Sequence, residues 1–371
     1  MIFQCQKEVL LNTLNIVSKA VSPKASMPIL EGIYIKAGPE QIKIVGNDLE
    51  LGIECNIGAE VYEEGSIVLL SKTFTEIVRK LPNDTVTVKV NDQRNAVITC
   101  QNIEYKITGL SDDEFPSIPD IDSEHEISLE SGVLKNMIRR TLFAISQNES
   151  RIVLTGSLFE VSGDNLNVVS VDGFRLALRN EKIKEEVNEP FSFIIPGKTL
   201  GELSKILKDD DSTVKISVNQ RFCLIKTEDA KVVSRLIEGN FLNYKKTIPQ
   251  DNAYSVIIPV NSVMESVERC EPIISSSETK SPIRLQFTKT ELVIKCFAST
   301  GQIMDTLPIP FEGEETEIGF NHKYFHDALK ACETDLAKIE FNSNLSPCII
   351  KPVEGDNFTQ MVLPVKLKNE N

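Results

Sequence analysis

The chain reads as α+β: three similar domains in tandem, each with two helices packed on antiparallel sheets. Three patterns in its 371 residues point there. One amphipathic helix motif recurs three times. A second recurs three times at nearly the same interval. Many of the segments between them alternate apolar and polar residues, as half-buried strands do.

The first helix motif carries Leu10, Leu14, Val17 and Val21; then Leu134, Ile138, Thr141 and Ile145; then Val263, Val267, Cys270 and Ile274. Each set steps by 4, 3 and 4 residues, one face of a helix. Leu10 to Leu134 is an offset of 124, and Leu134 to Val263 one of 129.

The second motif follows a short apolar strand each time: 67–70, 193–196 and 317–320. Its apolar slots are Phe74, Ile77, Val78 and Leu81; Leu200, Leu203, Ser204 and Leu207; and Phe325, Ala328, Leu329 and Cys332. The offsets are 126 and 125. Strands then alternate over 85–90, 213–218 and 337–341, with turns at Asn91-Asp92, Asn219-Gln220 and Asn342-Ser343-Asn344. Proline-containing stretches at 115–120 and 247–251 read as linkers, so the expected domains are 1–120, 121–249 and 250–371.

The second helices also repeat their cations. Lys72, Lys198 and Lys323 share one slot; Arg79, Lys205 and Lys330 share another seven residues on. Residues seven apart lie on nearly the same side of a helix, so each repeat presents two cations along one face. A solvated helix face is the plain reading of any one copy. Six matches in six slots, in a chain with net charge −14 and pI near 4.9, also fit a local basic stripe on an acidic body. Such a stripe would meet phosphates without reading sequence.

The eight cysteines form no CxxC, and most sit in apolar runs, so buried reduced thiols are expected. No apolar run approaches the ~18 residues of a membrane helix, and the start MIFQCQKEVL has no basic leader or cleavage motif. A cytoplasmic protein with no membrane contact is expected. No GxxxxGK[ST], GxGxxG, GxSxG or HExxH occurs. His322 and His326 stand four apart, but a lysine lies between them; Asp209-Asp210-Asp211 reads as a solvated turn. Neither catalysis, a metal nor a cofactor is expected.

The runs 156–160 (GSLFE) and 171–177 (VDGFRLA) resemble the bacterial DNA polymerase III beta subunit family, the sliding clamps. So do Pro28-Ile29-Leu30, Asn47-Asp48-Leu49-Glu50, 238–244 (EGNFLNY) and 361–367 (MVLPVKL). The resemblance runs through the whole chain, in order. It implies the DNA clamp fold and a head-to-tail homodimer ring around double-stranded DNA, with Tyr105 facing Ile273 and Ile274 across the joint. It implies DNA contacts at Lys24, Lys72, Asn148, Arg151 and Lys198, two of which the repeat already singles out.

The resemblance further implies a peptide pocket for the replicative polymerase, the clamp loader and repair polymerases, with ATP used by the separate loader. Its positions here are Leu154, Val171, Gly173, Phe174, Arg175, Leu176, Leu242, Lys246, Thr247, Asn321, Tyr324, Leu345, Pro347, Met361, Leu363, Pro364, Val365, Lys366 and Leu367. Most would otherwise pass for core. The apolar members suit an adaptable groove, and Arg175, Lys246 and Asn321 suit a peptide's polar ends. Leu242 stands where the family often has Pro, Lys246 replaces an Arg, and Lys280 falls where some members have an aromatic, so the peptide preference is open. Two other classes compete: an adaptor of three repeated domains without DNA, and a DNA-modifying or nucleotide-using enzyme whose acidic or histidine site leaves no local motif.

Overall fold

The structure is a computed structural model describing all residues except 25–26, 277–280 and 368–371; Lys280 therefore lies outside the described residues. The described residues form seven α-helices and four sheets with antiparallel pairing throughout. The helices are α1 (Lys7–Val17), α2 (Ser71–Lys80), α3 (Ser131–Thr141), α4 (Gly197–Ile206), α5 (Val260–Glu268), α6 (Glu271–Ser275) and α7 (His322–Lys330).

Two sheets belong to single repeats. One runs β5 (Glu60–Glu63), β1 (Ile2–Gln6), β7 (Thr85–Val90), β8 (Asn95–Cys100), β9 (Ile103–Thr108). The other runs β19 (Gly301–Leu307), β18 (Leu292–Ala298), β17 (Ile283–Phe287), β20 (Thr316–Phe320).

The other two sheets cross repeats. One runs β10 (His125–Glu130), β13 (Thr213–Val218), β14 (Phe222–Lys226), β15 (Lys231–Arg235), β4 (Leu51–Gly58), β3 (Gln41–Asn47), β2 (Gly32–Ala37), β6 (Gly65–Leu70). The last runs β11 (Gly156–Val171), β12 (Arg175–Pro196), β23 (Phe358–Val362), β22 (Cys348–Pro352), β21 (Leu336–Phe341), β16 (Tyr254–Pro259). In the central repeat two long strands, β11 and β12, each do the work of two short ones.

The continuous sheets set the compact units. One unit holds Met1–Leu134 with Glu202–Leu236; the other holds Lys135–Gly201 with Ile237–Asn371. Compactness thus follows the strand ladders and cuts through the middle repeat.

The helical periodicity is realised as buried faces. Leu10, Leu14 and Val17, then Leu134, Ile138 and Thr141, then Val263, Val267 and Cys270 are all fully buried. The fourth member of each set is only half-buried, because the helix has already ended: 3₁₀ turns at Ser18–Ala20 and Leu142–Ala144 precede Val21 and Ile145, and Ile274 lies in the separate α6. A 3₁₀ turn advances faster than an α turn and carries the fourth side chain to the rim. Phe74 and Phe325 hold the same slot of the second motif at 0% exposure, each contributing roughly 1.5–3 kcal/mol by burial. The turns follow asparagine chemistry: Asn91 Oδ1 accepts from the Gln93 and Asn95 amides, and Asn219 Oδ1 from those of Arg221 and Phe222. All eight thiols are buried and unbridged; burial pushes those of Cys5 and Cys332 up to about 12.

Candidate functional site

The four residues Asp172–Arg175 shape the site. Asp172 Oδ1 accepts the amides of Phe174 and Arg175 at 2.9 and 3.1 Å. Gly173 takes a left-handed φ of 93°, which a residue without a Cβ adopts cheaply. The turn throws Phe174 outward, 60% exposed, and folds Arg175 inward, 7% exposed. Phe174 then stacks on Tyr324 of α7, ring centres 6.2 Å apart.

Arg175 has several partners within the protein. Its Nε donates to Asp172 Oδ2 at 2.9 Å, its Nη1 to Asp327 Oδ2 at 2.7 Å and its Nη2 to the Phe143 carbonyl at 2.6 Å. The guanidinium also lies 4.4 Å from the Tyr324 ring centre. A buried cation needs this complement of acceptors, and it is thereby committed. It positions Tyr324 and the turn. Asp327 was missed as a site residue, since nothing local in the sequence pairs positions 175 and 327; Asp172, three residues before Arg175, was within reach of the motif.

A cleft of about 1140 Å³ opens beside this turn. Gly173, Phe174, Arg175, Asn321, Tyr324 and Val365 from the expected peptide set line it. So do Asn148, Arg151 and Lys323 from the expected DNA set, and Ile274 from the expected joint. Three sets kept apart in sequence therefore share one cavity. Asn321 caps α7, its Oδ1 accepting the Tyr324 amide at 3.3 Å.

The rest of the peptide set separates. Leu154, Val171, Leu176 and Met361 are buried in one apolar cluster with Tyr244 and Ile349, and Leu242 packs on its edge. Tyr244 Oη donates to Glu160 at 2.7 Å, a partly buried tie the sequence did not announce. Burial works to raise the Glu160 carboxyl, but hydrogen bonds from Lys245, Tyr244 and Asn167 hold it below its usual range. Leu345, Lys246, Thr247 and Lys366 are exposed; Pro347, Leu363, Pro364 and Leu367 are half-buried. The Leu363 amide donates to the Phe174 carbonyl at 2.8 Å, and that of Val365 to Gly319 at 2.8 Å, which lays the C-terminal run along the cleft turn.

All six repeated cations are exposed, opposite the buried faces of α2, α4 and α7. The two rows differ. Arg79 is paired with Glu76 and Lys205 with Glu202, each three residues earlier. The row of Lys72, Lys198 and Lys323 has no carboxylate three residues before it on its own helix. Lys24 sits exposed in a turn. His322 Nε2 lies 3.0 Å from the Val267 carbonyl and His326 Nε2 2.8 Å from Glu268 Oε1, so both imidazoles hold α7 to the end of α5.

The two single-repeat sheets each end in an open strand. Tyr105 and Ile103 on β9 are each 38% exposed, and Met304 on β19 is 65% exposed. Ile273 borders β19: a Cβ on Gly301 would lie 3.4 Å from its Cδ1. Ile274 turns the other way, to the cleft.

Comparison with known proteins agrees over the full length. Sequence profiles of the DNA polymerase III beta subunit match its N-terminal domain at residues 1–119, its central domain at 128–243 and its C-terminal domain at 245–366. The beta sliding clamp of Bacillus subtilis (strain 168) is 33% identical over 98% of this chain and 99% of its own. That of Halalkalibacterium halodurans is 34% identical over the same shares. Among solved structures, the DNA polymerase sliding clamp from Bacillus subtilis superposes with a TM-score of 0.95 at 32% identity, covering 99% of this chain and 100% of that one. A sliding clamp from Pseudomonas aeruginosa bound to griselimycin gives 0.94 at 26%, with the same coverage.

Proposed function

The chain belongs to the DNA polymerase III beta subunit family, the beta sliding clamps, and from that premise we propose that two copies close head to tail around duplex DNA. The ring tethers replication and repair polymerases through the cleft beside Phe174 and Tyr324. It makes and breaks no bonds itself and works in the cytoplasm; among the described residues no helix is long and apolar enough to cross a membrane. The three profile matches support reading it as domains 1–120, 121–249 and 250–371.

The observation that carries the ring is a pairing rule. The last strand of the second repeat, β15, adds to β4 of the first; the last strand of the third, β23, adds to β12 of the second. Applied once more, the rule leaves β9 with no repeat before it and β19 with none after it. Each is an edge strand with exposed apolar side chains, and open edges are templates for pairing. The β9 edge of one copy suits the β19 edge of another, with Tyr105 and Ile273 at the joint. A contact between different surfaces closes when its rotation returns to the start, here after two copies.

Closed topology needs only weak, salt-sensitive phosphate contacts, supplied by Lys72, Lys198, Lys323, Arg79, Lys205, Lys330 and Lys24, with Asn148 and Arg151 at the cleft mouth. A tethered polymerase then sees a high effective concentration of primer end. The chain loaded on nicked circular plasmid stays bound and is lost when the DNA is linearised; equal loss from both forms contradicts the ring. Lys72→Glu with Lys198→Glu lowers retention and polymerase processivity several-fold with unchanged thermal unfolding; unchanged processivity removes the cation row from the mechanism. Light scattering at micromolar concentration is expected to give twice the 41.4 kDa chain mass; the mass of a single chain would contradict the ring.

A further inference from the structure

The two joints inside the chain share one register, residue for residue. At the first, Gly52 of β4 faces Val233 of β15; at the second, Leu176 of β12 faces Met361 of β23. Gly52 and Leu176 are equivalent. Each stands four residues after an aspartate, Asp48 or Asp172, whose Oδ1 accepts the amides two and three residues on. Val233 and Met361 are equivalent too. From Val233 the ladder crosses Leu224 and Ser217 to Glu126; from Met361 it crosses Ile349 and Glu340 to Ser255. Glu126 and Ser255 each lie five residues before the first residue of a helix, α3 or α5.

The two open edges fall on the same frame. From Lys106 of β9 the ladder crosses Val97 and Lys89 to Ile2, again five residues before its helix, α1. Lys106 therefore holds the place of Val233 and Met361. From Glu54 of β4 the ladder crosses Val45 and Tyr34 to Val68, three residues before α2. From Met304 of β19 it crosses Lys295 and Arg284 to Gly319, three residues before α7. Met304 therefore holds the place of Glu54, and Gln302 that of Gly52 and Leu176.

We infer that the joint between two copies keeps this register: Lys106 of one copy faces Gln302 of the other in an antiparallel ladder. The inference rests on the ring reading. Tyr105 then faces Ile303. They take the places of Val232 and Ile53 at the first joint and of Gln360 and Ala177 at the second, all at most 1% exposed. Ile107 faces Gly301, the residue that Ile273 borders. The other side of the ladder changes chemistry. At the first joint Lys231 faces Glu54, opposite charges. At the ring joint those places fall to Glu104 and Met304. Glu104 pairs along its own strand with Lys106, which faces the neutral Gln302. The ladder that closes the ring thus lacks the opposed charges of its first internal counterpart, and Tyr105, Ile107, Ile273 and Ile303 supply its contact.

Paired cysteines test the register. Directly opposed residues have Cα atoms about 4.5–5.5 Å apart, within disulfide reach, and a shift of two residues takes them to about 7–8 Å, beyond it. Lys106, Gln302 and Met304 are exposed and the eight native thiols are buried, so the added thiols react first. Under mild oxidation Lys106→Cys/Gln302→Cys forms covalent dimer roughly tenfold faster than Lys106→Cys/Met304→Cys. An equal or reversed ratio in a protein of twice the chain mass overturns the register and leaves the ring standing. A protein of single-chain mass overturns the ring reading and the register with it. Charge placed at 304 reads the same register independently. Met304→Lys restores opposite charges against Glu104, and Met304→Glu sets like charges there. The lysine variant dimerises several-fold more tightly than the glutamate variant at low salt, and the difference vanishes in a Glu104→Gln background. Equal affinities, or a difference that survives Glu104→Gln, overturn the assignment.

Discussion

Strands β4 and β12 hold the same place in two repeats and close the same kind of joint, yet one face of each carries opposite chemistry. In β4 that face is Leu51, Ile53 and Cys55, exposed by 1%, 0% and 1%. In β12 the same three positions are Arg175, Ala177 and Arg179, exposed by 7%, 0% and 4%. The backbone ladder tolerates both. Apolar residues satisfy the first joint outright. The second offsets the desolvation of two guanidiniums with carboxylates: Asp172 and Asp327 for Arg175, Glu181 and Glu333 for Arg179, with Arg140 3.6 Å from Glu333. The match is imperfect, since Arg179 Nη1 and the Gln360 amide are buried with no partner. An apolar joint would be at least as stable, so stability does not explain the charges. Position does: Arg175 lies 4.4 Å from the ring centre of Tyr324, and both residues line the cleft.

Exchanging the two chemistries breaks this comparison most severely at the apolar joint. Leu51→Arg buries a guanidinium with no carboxylate arranged to meet it, at a cost of several kcal/mol. Loss of the cooperative thermal transition, or a fall of more than about 10 °C in its midpoint, is expected. A mild effect would mean that the first joint can open to water. The reverse exchange, Arg175→Leu, leaves Asp172 and Asp327 without their cation and costs about 3–5 kcal/mol. Peptide affinity falls with it, because Tyr324 loses the guanidinium on its ring face. If stability falls but affinity does not, Arg175 supports the fold alone.

Much of this was legible in the residues, and the limits are physical. Burial repeats every 3.6 residues on a helix, so Leu10, Leu14 and Val17 and their counterparts declared their faces. The chain's switch to 3₁₀ turns left no such mark, and Val21, Ile145 and Ile274 fell past the helix ends. The cation rows were visible as spacing; their partial neutralisation by Glu76 and Glu202 is equally local and follows from the three-residue interval. The compact units were not visible, because a sequence repeat reflects local pattern while compactness follows ladders between distant strands. The Arg175–Asp327 ion pair was not legible, since an arginine in a motif does not disclose a carboxylate 152 residues away.

The smallest expected effect sharpens the comparison at the turns. Leu49 and Gly173 share one left-handed position, φ 76° and 93°. An L side chain there costs roughly 1–2 kcal/mol against the carbonyl that follows, and glycine does not. Leu49 is 53% exposed, so its side chain recovers little by packing. Leu49→Gly removes the strain, and the extra freedom of glycine in the unfolded chain returns roughly 0.5–1 kcal/mol of the gain. The net is a stabilisation of about 0.5–1 kcal/mol, readable as a rise of a degree or two in the melting midpoint. Gly173→Ala introduces the same strain where none exists and lowers stability by about 1 kcal/mol. Opposite signs from the two substitutions identify one turn used twice. Equal signs would mean that the side chain at 49 makes contacts worth more than the backbone strain it bears.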